Sequence, residues 1–222
     1  MGYSIAIDGP AGAGKSTIAR RIARELSFIY VDTGAMYRAM GLYFLRKHIE
    51  AGDRQAVLRE AQAVDIRIAY RDQEQAVLLS GEDVTGQLRT EEVGNMASAI
   101  SVYPEIREKL VALQQELARQ ADVVMDGRDI GTCVLPEATL KIYLTAGSAQ
   151  RAKRRYLELQ AKGQEADIRE IEADIIERDA RDMNREASPL RKAADAVVID
   201  SSDMGIEEVT AEVIRLYKER RG

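Results

Sequence analysis

Residues 9–17 read Gly9-Pro10-Ala11-Gly12-Ala13-Gly14-Lys15-Ser16-Thr17. An apolar run, Tyr3 to Ile7, precedes them and ends at Asp8. Ile18, Ile22 and Leu26 follow at helical spacing. The context is therefore strand, glycine-rich turn, helix. Gly9, Gly14, Lys15 and Ser16 fill the pattern G-x-x-x-x-G-K-[ST], which holds nucleotide phosphates. Glycines allow close approach and positive φ. Successive N–H groups form a nest for phosphate oxygens, and the helix N-terminus adds partial positive charge. Lys15 supplies a full charge to the terminal phosphates, and the Ser16 hydroxyl can ligate Mg²⁺.

Outward from the loop, further apolar runs recur. They are Phe28–Val31, Val123–Met125, Leu140–Leu144 and Asp195–Ile199, with helical stretches between them. Five short apolar strands alternating with helices predict an α/β fold, a parallel sheet covered on both faces. Ligands of such sheets bind at the carboxyl ends of the strands. Residues Asp32–Arg38 and Asp126–Asp129 fall there, beside the loop.

Between residues 60 and 100 the pattern changes. Ile66, Ile68 and Tyr70 alternate with polar residues, and Val77-Leu78-Leu79 follows a polar link from Arg71 to Gln75. This predicts a small antiparallel insert with a hairpin. Thr90-Glu91-Glu92 reads as a helix start, with a capping oxygen and acids in the first turn. The segment 148–192 is highly charged, with helical spacing at Ile168, Ile171 and Ile175. Residues 1–59, 101–147 and 193–222 are left as the core domain.

Composition bounds the function. The chain has 222 residues, 45% hydrophobic and 31% charged, with a net charge of −5. A broad basic surface for nucleic acid is not expected. Arginine makes up 24 of the 32 basic residues, and its planar fork suits phosphates. The one cysteine, Cys133, forms no internal disulfide and fits a reducing cytoplasm. It sits among small and apolar residues and is expected to pack. His48 reads as a solvated residue. No apolar stretch is long enough for a bilayer, and no leader-like region precedes the first strand. The expectation is a cytoplasmic protein with no membrane partner, and a monomer by default.

Single residues admit two readings. Asp126, at a strand end, can reach a Mg²⁺ shell or merely cap a turn. Arg178, Arg181, Asp182 and Arg185 lie at offsets 0, 3, 4 and 7, one helical face. They form either a solvated face or a phosphate-clamping lid, and the nucleotide loop favours the lid. Arg38 and Arg128, on loops at the binding edge, could together hold a second phosphate-bearing substrate.

Taken in order, GPAGAGKST, DTGAMYR (Asp32–Arg38), GEDVTGQLRT (Gly81–Thr90), DGRDIGT (Asp126–Thr132) and ERDARDMNR (Glu177–Arg185) closely resemble the bacterial cytidylate kinases. These are P-loop nucleoside-monophosphate kinases. The resemblance spans almost the whole chain. It implies a five-stranded parallel sheet flanked by helices, a nucleoside-monophosphate-binding insert and a helical lid. It implies phosphoryl transfer from ATP to CMP or dCMP, with Mg²⁺. Gly9 to Thr17 would bind ATP. Thr33, Arg38, Ser98, Arg107, Arg128, Asp129, Arg178, Asp182 and Arg185 would form the acceptor site. Within it Asp129 and Arg107 would offer an acceptor and a donor to the cytosine edge, or else form a structural ion pair. Lys15, Arg128, Arg178 and Arg181 would be catalytic, and Ser16 with Asp126 would serve the metal. Rival readings are a different P-loop kinase, which would lack the insert, and a nucleotide switch, which would not need the second arginine cluster.

Overall fold

The computed structural model describes residues 2–71 and 74–222. The elements follow in order: β1 (Ser4–Asp8), α1 (Lys15–Leu26), β2 (Ile29–Asp32), α2 (Thr33–Arg46) and α3 (Arg54–Ala61). Next come β3 (Ile66–Arg71), β4 (Glu74–Leu79), β5 (Glu82–Asp83), α4 (Glu91–Ile100) and α5 (Pro104–Gln120). The chain closes with β6 (Val123–Gly127), β7 (Leu140–Thr145), α6 (Ser148–Ala161), α7 (Ile168–Asn184), β8 (Val197–Asp200) and α8 (Ile206–Arg221).

Five strands form one parallel sheet in the order β2-β6-β1-β7-β8. Alternation along the strands sends side chains to opposite faces. Ile5, Ile7 and Val124 pack on one side with Ile18 and Ile22 of α1 and Val213 and Tyr217 of α8. Ala6, Val123 and Met125 pack on the other with Met36 and Met40 of α2 and Ile106 and Leu110 of α5. Both faces are thus buried, which explains why these strands read as apolar runs.

The expected insert holds a three-stranded antiparallel sheet, β3-β4-β5, and helix α4. Ile68 pairs with Val77 in the hairpin; Asp72 and Gln73 of the expected link lie outside the described residues. This sheet has no core of its own. Its Ile66, Val77 and Leu79 join the same apolar cluster as Met36 and Met40. Thr90 caps α4 by accepting from the Val93 N–H, as its sequence position predicts.

Two expectations need correction. The last strand runs Val197–Asp200 rather than 195–199, because Asp195 instead pairs with Lys141 at 2.9 Å. Cys133 does not pack. It is exposed, 3.6 Å from the Ser188 hydroxyl, on a one-turn π-helix over Ile130–Val134.

Candidate active site

The phosphate loop joins the end of β1 to α1 at the carboxyl edge of the sheet. Gly9 and Gly14 have φ of 151° and 87°. A Cβ at Gly9 would lie 1.9 Å from the Leu144 carbonyl oxygen, so no other residue fits beside β7. The Lys15 ammonium is buried and donates to the Pro10 carbonyl at 2.7 Å. Burial, with the charge of Arg128 beside it, pushes the Lys15 pKa down to about 7. A bound polyphosphate would oppose that shift.

Asp126 ends β6 next to the loop. Its carboxylate accepts from the Ser16 hydroxyl at 2.8 Å and the Tyr30 hydroxyl at 2.9 Å. Burial, reinforced by the Asp32 charge, pushes Asp126 up to about 6. A hydroxyl and a desolvated carboxylate side by side are hard oxygen donors that suit Mg²⁺ and leave room for phosphate oxygens and water. The Thr33 hydroxyl donates to the Asp126 carbonyl at 2.7 Å, fixing the start of α2 against β6.

A second group of charges surrounds the turn after β6. Arg128 donates to Asp182 of α7 at 2.7 Å, and Arg107 of α5 pairs with Asp129. Arg107 also donates to the Ser101 carbonyl at 3.3 Å and lies over the Tyr37 ring. Arg185 stands 3.8 Å from Asp129, and its Nε donates to the Ser188 carbonyl at 2.7 Å. Arg38 donates to Asp32, the cap of α2, at 2.8 Å. Ser98 is half-buried on α4, where its carbonyl accepts from the Ser101 hydroxyl.

This cluster has an excess of donors. Arg38 Nε, Arg107 Nε, Arg178 Nε and Arg185 Nη2 are buried with no hydrogen-bond partner among the described residues. Burial and neighbouring cations hold Arg178 and Arg185 below their ordinary values, through Arg128 and Arg38 for one and Arg107 for the other. Buried cations with spare N–H groups are stabilised by an anion.

Arg181 departs from the expected face. It is exposed and pairs with Glu177 at 3.7 Å, while Arg178, Asp182 and Arg185 turn inward. At about 100° per residue, residues 178, 182 and 185 lie within ~60° of one another, and residue 181 lies beyond their edge.

Several residues of the site escaped the sequence reading. Asp8 accepts from the Ile130 and Gly131 N–H groups at 2.7 Å each, bracing the turn that carries Arg128 and Asp129. Tyr30, Arg151 and Asp179 also touch site residues. Of these residues only Asp8, at the end of an apolar run, carried a sequence signal.

The parallel sheet, the phosphate loop and the arginine cluster beside it mark the chain as a P-loop kinase. A shikimate kinase from Bacteroides thetaiotaomicron shares the fold with a TM-score of 0.50 at 15% identity, covering 97% of this chain and 98% of that one. A gluconokinase from Sinorhizobium meliloti does so with a TM-score of 0.50 at 13% identity, over 98% and 94% of the two chains. The chain belongs to the cytidylate kinase family, whose pattern matches residues 5–219. The cytidylate kinase of Caldicellulosiruptor bescii is 53% identical over 214 residues, 96% of this chain and 95% of that one. That of Lactobacillus gasseri is 48% identical over 217 residues, 98% and 94% of the two chains.

Proposed function

We propose that the protein transfers the γ-phosphoryl group of MgATP to CMP or dCMP, giving ADP and CDP or dCDP. The family supports the substrates. The observation that carries the two-site reading is the set of four buried, unpartnered guanidinium N–H groups around Asp32, Asp129 and Asp182. One phosphate nest explains Lys15; it does not explain a second set of donors around Asp129 and Asp182.

The loop, Gly9 to Thr17, binds the ATP phosphates through its N–H groups and Lys15. Ser16 and Asp126 would hold a Mg²⁺, which would supply charge neutralisation to the phosphates. Arg38, Arg128, Arg178 and Arg185 hold the acceptor phosphate, with Thr33 and Asp182 lining its site. Asp129, Arg107 and Ser98 read the cytosine edge. In that role the Asp129 carboxylate accepts from the base amino group and Arg107 donates to the ring. Lys15, Arg128, Arg178 and Arg181 stabilise charge on the moving phosphoryl group. Direct in-line transfer needs positioning and charge, with no covalent intermediate on the protein.

Residues 60–100 act as the acceptor-binding insert and residues 148–192 as a lid that shields the reaction from water. Arg181, exposed on α7, reaches the phosphates by turning its own side chain. A single chain supplies every residue named, so a monomer suffices. The lone exposed thiol suits a reducing cytoplasm. No helix among the described residues is long and apolar enough to cross a membrane.

A coupled assay with ATP against CMP, dCMP, UMP, AMP and GMP tests the reading. CMP and dCMP should lead by several decades in kcat/KM, because a site built on base hydrogen bonds rejects a base that leaves them unpaired. Equal rates with UMP or AMP contradict it.

A further inference from the structure

Ala11 is held on both sides of its backbone. Its N–H donates to Asp179 Oδ1 on α7 at 3.3 Å. Its carbonyl accepts from Arg151 Nη1 on α6 at 2.8 Å. Arg151 and Asp179 pair with each other at 2.6 Å, closing a ring around one residue of the phosphate loop. Both side chains are buried, at 7% and 11% exposure, where a charged ring is little screened by water. Arg151 Nε also donates to the Ala146 carbonyl at 2.9 Å, which anchors the ring to the end of β7.

The ring has a geometric consequence. Three residues after Asp179, on the same helix, Asp182 holds Arg128 at 2.7 Å. Helix α7 therefore grips the phosphate loop at one point and the turn of the second arginine cluster at the next turn of helix. Neither Arg151 nor Asp179 is needed to bind the acceptor.

We infer that Asp179, acting with Arg151, is a positioning residue that fixes the Ala11 peptide of the phosphate loop and ties that loop to helix α7. The loop can then present its N–H groups to ATP in the geometry that α7 sets for the acceptor. The inference rests on the kinase reading above. Loss of the ring loosens the donor side while leaving the acceptor donors in place.

The test compares Asp179→Ala, Asp179→Asn, Arg151→Met and the double variant Asp179→Ala/Arg151→Met. ATP affinity is measured by calorimetry without acceptor, alongside kcat and both KM values. Removing a charge-assisted contact that acts on the reacting geometry predicts about a tenfold or greater loss of kcat in Asp179→Ala. ATP affinity should fall by about tenfold, and KM for CMP should stay within about twofold. Asp179→Asn, which keeps an acceptor for Ala11 but loses the charge facing Arg151, should be intermediate. The double variant should be no worse than Asp179→Ala by more than about twofold, because the two residues act as one ring. Wild-type ATP affinity and kcat in a folded Asp179→Asn or Asp179→Ala overturn the inference, as does a defect confined to KM for CMP. Should Asp179→Ala fail to fold, Asp179→Asn decides the matter. If the wild type fails to phosphorylate CMP, the kinase reading falls, and the ATP titrations still judge the ring.

Discussion

Arg128 Nε donates to Asp182 Oδ2 at 2.7 Å, joining the turn after β6 to helix α7 across 54 residues of chain. Burial works most strongly on the Asp182 pKa and would raise it, but the Arg128 charge and hydrogen bond together with the charges of Arg185 and Arg178 hold the carboxyl below its ordinary range. The pair fixes the helix that carries Arg178 and Arg185 against the core. Asp182→Ala strands a largely buried guanidinium, which should cost about 3 kcal/mol. For a chain of this size that is a fall in Tm of about 6–12 °C by calorimetry. A Tm within about 2 °C of wild type contradicts the structural part of this account.

Lys15, pushed down to about 7 by burial and by Arg128, is mostly neutral at pH 8 in the free protein. Phosphates beside it favour the charged form, so ATP binding at pH 8 should take up close to one proton. The uptake should shrink toward zero by about pH 6, where Lys15 is already charged. Calorimetry in buffers of differing ionisation enthalpy reads this directly. Lys15→Ala should abolish the uptake and lower turnover by at least about a hundredfold while the protein stays folded. Equal uptake in wild type and variant would remove Lys15 from the phosphates.

Arg38 is tied to Asp32 through Nη2 at 2.8 Å and keeps a buried Nε without a partner among the described residues. Each charge-assisted bond to the acceptor phosphate is worth about 1.5–3 kcal/mol. Arg38→Ala should therefore lower kcat/KM for CMP by about one to two decades and leave ATP affinity nearly intact. A loss of ATP affinity instead would mean the two sites are assigned backwards.

Arg107 and Asp129 are paired and almost fully buried, at 5% and 8% side-chain exposure. The pair places an acceptor and a donor together, the set that a cytosine edge requires, and the Tyr37 ring lies against Arg107. Arg107→Met should lower kcat/KM for CMP and narrow its lead over UMP. An unchanged ratio of CMP to UMP would leave the pair a structural one.

How much of this was legible in the sequence depends on range. The phosphate loop was, because Gly9 to Thr17 and their flanking strand and helix are contiguous. Both sheets were, since period-two and continuous apolar runs distinguish half-buried Ile66–Tyr70 from fully buried Val123–Met125. The inward face of α7 was only partly so. Spacing grouped Arg178, Arg181, Asp182 and Arg185, but the direction in which the helix turns is set by what packs on it. Arg181 ended outside and Asp179, which spacing ignored, ended inside. Asp179 reaches Ala11 across 168 residues and Arg151 reaches it across 140, and no local pattern marks contacts of that range. Cys133 misled because its neighbours Ile130 and Val134 are buried while the thiol itself points outward.

The central claim is that donor and acceptor phosphates meet in one cleft between the loop and the arginine cluster. It is tested most directly with adenosine and cytidine joined 5′ to 5′ through a polyphosphate chain, used as an inhibitor. The account predicts binding of one molecule per chain, competitive against both ATP and CMP, and far tighter than either nucleotide, since the second site is filled without a second loss of freedom. Competition with ATP alone, or an affinity no better than that of ATP, would contradict it.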